Sequence, residues 1–278
     1  MDSQNGWVIG DSGFISYSSD GGYTWTEQNS GTDHRLTSIY FMDNQNGFAC
    51  GYNQTLIHTE DRGNTWTPFQ VHSDSGSIYH SIHPDNYANL YFISNYGEVY
   101  WSNDNGLNWN NKTTLDRWGY YLLDYSNRPT CYAMQFLFHS FYKSSDNGNS
   151  WAKKTLPVEW SGDIFFLDTE YIWVTENWAP SATWHDSVSI HMSSDGGNTW
   201  NKQSTFLGKI LDNIVFVDTF HGWLAQITKI YFTSDSGKSW TCQFESDEFG
   251  YIRDIFFLDS NTGWAITSEG IVVRYDCD

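Results

Sequence analysis

The sequence predicts an all-β fold, a seven-bladed β-propeller of four-stranded antiparallel blades, and three observations predict it. Asp followed by Gly at +2 and Trp at +5 occurs six times, starting at Asp20, Asp61, Asp104, Asp146, Asp195 and Asp235. Successive copies lie 41, 43, 42, 49 and 40 residues apart, the length of a four-stranded blade rather than of a helical repeat. Aromatic residues make up 18% of the chain and only five residues are Pro, the composition of short strands punctuated by Gly turns.

Each copy reads as a hairpin turn. The Asp accepts backbone N–H bonds from the residues that follow, the Gly supplies a backbone with φ > 0, and the Trp opens the next strand. Six Asp in equivalent turns form a structural clasp rather than a catalytic set, since one active site does not need six copies.

Residues 36–70 show a full blade. Ser38–Phe41 is the inner strand A, Asp43–Gly47 a turn, Phe48–Gly51 strand B, Leu56–Thr59 strand C and Thr65–Phe69 the outer strand D. Pro68 fits an outer edge, where a missing donor is tolerated. On this pattern a single propeller domain spans 1–278, with blades at 2–28, 36–70, 78–112, 119–154, 162–203, 212–244 and 251–275. The count is 26 strands, the first blade lacking its inner strand and the last its outer one. Six blades is the runner-up; it leaves two C-terminal strands without places.

The formal charge is −19, from 33 acidic and 14 basic residues. That balance repels phosphate backbones and anionic lipid, so nucleic acid is not an expected partner. No apolar run is long enough to span a membrane. Met1–Trp7 has neither a basic region nor an apolar core, so no secretory signal is read there. Met1-Asp2 aligns with Met42-Asp43 inside the repeat, which leaves room for an upstream start. A secreted or extracytoplasmic setting is favoured, as a monomer or as a domain of a larger chain. Cys50, Cys131, Cys242 and Cys277 lack CxxC spacing; Cys50 and Cys131 read as core, and a Cys242–Cys277 disulfide stays open. The nine His form no metal motif, and neither a metal nor a cofactor is expected.

The phrase Ile255-Phe256-Phe257-Leu258-Asp259-Ser260-Asn261-Thr262-Gly263-Trp264-Ala265, with its relatives at Asp43 and Asp218, resembles the repeat of photosystem II assembly/stability factors, which are seven-bladed Asp-box (BNR) propellers. The resemblance covers nearly the whole chain. It implies the fold, and a basic arginine patch for a membrane-protein partner; this chain has six Arg in all. His83-Pro84-Asp85-Asn86 instead resembles the Asp-box repeats of xyloglucanases and sortilin-type propellers, which implies a polysaccharide hydrolase as the alternative. Sialidases share the box, but that resemblance would require three converging arginines behind an early Phe-Arg-Ile-Pro-like motif, which is not found here.

In propellers the D–A and B–C loops lie on one face, beside the channel mouth, and ligands usually choose it. The residues expected to bind there are Tyr79, His80, Trp118, Tyr120, Trp160, Tyr251 and Arg253, together with Trp178, Trp184 and His185 of a long B–C loop at 176–186. Rings at such a lip could stack on sugar or grip a peptide; equally, the loop could fold back over its own blade. A hydrolase would need two carboxylates at about 5–5.5 Å or about 6.5–9.5 Å, with Asp116, Glu159, Asp163, Asp212, Asp247 and Asp254 as candidates by face. The reading that results is a non-enzymatic propeller that binds a protein or a glycan on its D–A/B–C face, with the Asp-box glycoside hydrolase as alternative.

Overall fold

The computed structural model describes residues 2–69, 71, 77–84, 89–116, 121–124, 129–135, 139–158, 161–177, 187–208, 210–246 and 248–276. These residues form an all-β, seven-bladed propeller with 26 strands and one short 3-10 turn at Asp11–Gly13. Five blades have four antiparallel strands. The first, which starts with Gly6–Ile9, and the last, which ends with Val272–Asp276, have three. The chain divides into two compact units, Met1–Gln135 with Phe141–Lys153, and Phe136–Ser140 with Lys154–Asp278.

The turns explain the repeat. In all six Asp boxes a hydroxyl two residues before the Asp donates to its Oδ1 at 2.7–2.8 Å. The same hydroxyl accepts the N–H of the box Gly at 2.8–3.0 Å. Asp Oδ1 then accepts the N–H of residue +4, and Oδ2 accepts that residue's Thr, Ser or Asn side chain at 2.6–2.7 Å. All six box Gly have positive φ, from 76° to 95°. Bonds to the charged form favour it. The side chains of Thr24, Ser150 and Thr199 and the N–H groups behind them thus hold Asp20, Asp146 and Asp195 at about 2.

The A–B turns use a second Asp. Asp43, Asp168, Asp218 and Asp259 each accept the N–H of +2 and +3 at 2.7–2.8 Å. Asp2 does the same for Gln4 and Asn5, as its alignment with Asp43 predicts.

Blades join through a ring and a gap. In the first unit Trp7 stacks on Phe41 of the next blade's inner strand, with centroids 3.5 Å apart. In the second unit Trp173 stacks on Phe216 at 3.9 Å, and Trp223 on Phe257 at 3.7 Å. Each of these Phe lies across its own blade from a Gly, pairing as Phe41↔Gly47, Phe216↔Gly222 and Phe257↔Gly263. A Cβ there would sit 2.5 Å from the Phe41 ring and 2.6 Å from that of Phe216. The recurrent Gly-aromatic pair is therefore a packing device: the Gly clears space for its own blade's Phe, and a Trp from the preceding blade covers the other side. Cys50 and Cys131 are buried and Cys242 is exposed, and no disulfide joins any two of them. Cys277 lies outside the described residues.

Candidate functional site

Most of the expected lip lies outside the described residues: Trp118, Tyr120, Trp160, Trp178, Trp184 and His185, and with them Glu159 and Asp247. Tyr79 corrects its expectation. It is fully buried, packed against Phe92 with centroids 4.4 Å apart, and offers no ring to a ligand. A β-bulge between Tyr79 and Ser81 is the cause, because an extra residue re-aims the side chains on either side of it. His80 is that extra residue; it is half-buried, and burial pushes its imidazole down to about 4. Burial also lowers His83, with the Asp124 carboxylate pulling the other way. Asp116 is engaged by Lys153 at 2.6 Å. Among the described residues no His, Cys, Asp or Glu group is arranged to hold a metal.

In the first unit a polar cleft of about 480 Å³ lies among Asp11, Phe14, Glu27 and Thr32. The second unit has the more distinctive loop face. Among the large apolar side chains exposed on it are four: Leu207 at the end of the outer strand of blade five and Ile210 in the D–A loop that follows, at 84% and 45%, Ile227 in the B–C loop of blade six, at 42%, and Tyr251 in the D–A loop before blade seven, at 58%. Main-chain and amide bonds stitch these loops together. Gln226 Nε2 donates to Leu207 O at 3.1 Å, and Ile227 N to Asp212 Oδ2 at 3.0 Å. Ile252 N donates to Ile227 O and Ser268 N to Tyr251 O, both at 2.7 Å. Arg253, expected here, is exposed beside Asp212 and offsets part of the upward push that burial gives that carboxyl.

Behind this face the inner strands of blades five, six and seven, Ser161–Phe166, Asn213–Phe216 and Ile252–Phe257, carry the acidic candidates. Asp163 bridges two of them. Its Oδ1 accepts Ile164 N–H and its Oδ2 accepts Ile214 N–H of the next blade, both at 2.9 Å. In the first unit Ser38 Oγ accepts Ile82 N–H in the same way at 3.2 Å, so the position is a blade-to-blade latch. Desolvation, aided by Asp254 and Asp212, raises Asp163 to about 7. Asp254 keeps contact with solvent but stands among protein atoms, and desolvation raises it to about 6.

These raised values set a pH dependence. A carboxyl whose folded pKa lies above its unfolded one contributes stability that is complete below the unfolded value of about 3.9 and is lost as pH rises through the folded value. Between pH 5 and pH 8 the Asp163 carboxyl lowers the thermal midpoint as pH rises, while the imidazoles of His80 and His83, held below their ordinary range by burial, raise it. The box Asp residues stay ionised across that window. Asp163→Asn should remove the falling contribution, so that the midpoint of the variant gains a few degrees on wild type from pH 5 to pH 8, and a constant difference between the two would show that Asp163 makes no such contribution.

The fold and the turns define the class: an Asp-box β-propeller with an irregular loop face. The particular resemblance is to the photosystem II assembly-factor repeat, and the model of the family described as photosynthesis system II assembly factor YCF48 matches residues 1–119. The structure described as YCF48 bound to D1 peptide has a TM-score of 0.80 at 19% identity, covering 100% of this chain and 89% of that one. YCF48 from Cyanidioschyzon merolae has a TM-score of 0.78 at 16% identity, covering 98% and 91%. An ancestral GH74 enzyme has a TM-score of 0.75 at 13% identity, covering all of this chain but 44% of that one. No curated protein matches the sequence. At these identities the structural likeness speaks for the fold.

Proposed function

We propose that this chain is a non-enzymatic propeller scaffold that binds a protein partner on the D–A/B–C loop face of its second unit. The observation that carries the reading is the clustering of Leu207, Ile210, Ile227 and Tyr251 on loops bonded to one another. Contiguous exposed apolar side chains rimmed by polar groups mark interaction surfaces. Three of the four are aliphatic, which suits a protein surface better than a sugar, whose faces stack on rings. A propeller of the same fold, described as bound to a D1 peptide, supports the mode.

The hydrolase alternative draws on the raised carboxyls of Asp163 and Asp254. Both oxygens of Asp163 are committed to main-chain N–H groups, which leaves it poorly placed to give a proton to a glycosidic oxygen.

The test is affinity purification of the tagged chain from its source cells. Wild type is compared with Leu207→Asp/Tyr251→Asp on the loop face and Tyr23→Asp/Leu107→Asp on the Asp-box turns. Specific proteins should be retained by wild type and by the second variant, and lost from the first. No specific protein, or equal loss in both variants, contradicts the proposal, as does release of reducing ends from a polysaccharide panel.

A further inference from the structure

The exposed apolar side chains do not stand alone. Asp212 lies between Ile210 and Ile227 and accepts the Ile227 N–H. Glu248 and Glu269 are exposed in the two loops that hold Tyr251, which is joined to the second of them through Ser268. Against these carboxylates, and Asp254 behind them, the described residues of this face set two cations, Arg253, which stands beside Asp212, and Lys229. Lys229 is held by Glu245 at 2.8 Å. The described residues of this face are thus apolar and negative together, on a chain whose formal charge is −19.

We infer that this face docks an extended segment of a protein partner in which Lys or Arg side chains alternate with apolar ones. The inference rests on the protein-binding reading above and names the chemistry of that partner. Apolar anchors supply contact area, and the carboxylates supply selection and a salt-dependent encounter rate. A second copy of this chain fits poorly, because it would bring the same carboxylates against these. An acidic peptide fits poorly for the same reason.

Two synthetic 15-residue peptides test this, sharing one set of Leu and Tyr positions, the first carrying Lys and Arg between them and the second Glu. Binding is read by fluorescence anisotropy at low salt and at roughly 0.3 M salt, where the Debye length falls to about 5–6 Å. The proteins are wild type, Asp212→Asn/Glu248→Gln/Glu269→Gln, and Leu207→Ser/Tyr251→Ser. Each substitution is on a loop or, for Leu207, at a strand end, and melting curves confirm that the variants fold.

The expected result is that the basic peptide binds wild type, loses at least tenfold in affinity to each variant, and weakens with salt, while the acidic peptide does not bind. Equal binding of both peptides, equal affinity for all three proteins, or no binding of the basic peptide overturns the inference. If the basic peptide fails while partner proteins are still captured and lost with Leu207→Asp/Tyr251→Asp, only the charge assignment falls. If capture fails as well, the protein-binding reading falls with it.

Discussion

Trp223→Ala is expected to destabilise the chain by about 3–5 kcal/mol, the largest effect of any single truncation outside the turns. The indole is fully buried and lies flat on Phe257 of the next blade, with planes 10° apart. Tyr275 meets it edge-on at 6.2 Å, and its N–H donates to Gln243 Oε1 at 3.3 Å. Removing it opens a cavity between two blades and takes the cover from a Phe whose other side faces Gly263. In a repeat fold, stability is the sum of blade and nearest-neighbour terms, so the loss falls on the junction of blades six and seven. Trp223→Phe keeps a stacking ring and should recover most of it. Denaturant unfolding checks this; a loss under about 1 kcal/mol in the Ala variant would mean that the stacked ring is not the joint.

Gly222→Val should cost about 2–3 kcal/mol through overpacking. The position is in ordinary extended backbone, so the cost is steric and not conformational. A Cβ there meets Cδ1 of Phe216 at 2.6 Å, and Phe216 cannot retreat because Trp173 lies on its other face at 3.9 Å. Phe216→Leu combined with Gly222→Val should therefore recover stability relative to Gly222→Val alone, a coupling that a double-mutant cycle measures. Strictly additive losses would show that the Gly is not there to clear the ring.

How much of this the sequence showed depends on how local each feature is. The Asp boxes are local: seven consecutive residues carry all the groups that bond, so their spacing set the blade length, and 26 strands are expected and found. The hydroxyl at −2, such as Ser193 or Thr59, was equally visible in every copy; reading only the Asp, Gly and Trp overlooked it. Gly-Trp pairs such as Gly222-Trp223 were visible as a phrase, but their purpose needs the neighbouring blade, which no single repeat contains.

The loop face was less legible. Aromatic residues drew the expectation, yet Tyr79 follows the strand into the core, because a one-residue bulge reverses which face a side chain takes. Leu207, Ile210 and Ile227 carry no motif. An apolar residue at a strand end reads as core until the folded chain leaves it exposed. Asp163 and Asp254 could be assigned to the loop face by their place in the repeat, but the latch onto Ile214 N–H joins residues 51 apart in sequence.

The central claim is that the loop face of the second unit, and not the Asp-box face, meets a protein. Photo-crosslinking residues placed singly at positions 227 and 251, and at 107 and 220 on the turns, test it in the source cells. Protein adducts from 227 and 251 alone are the expected result. Adducts chiefly from 107 and 220, or from none of the four, would contradict it.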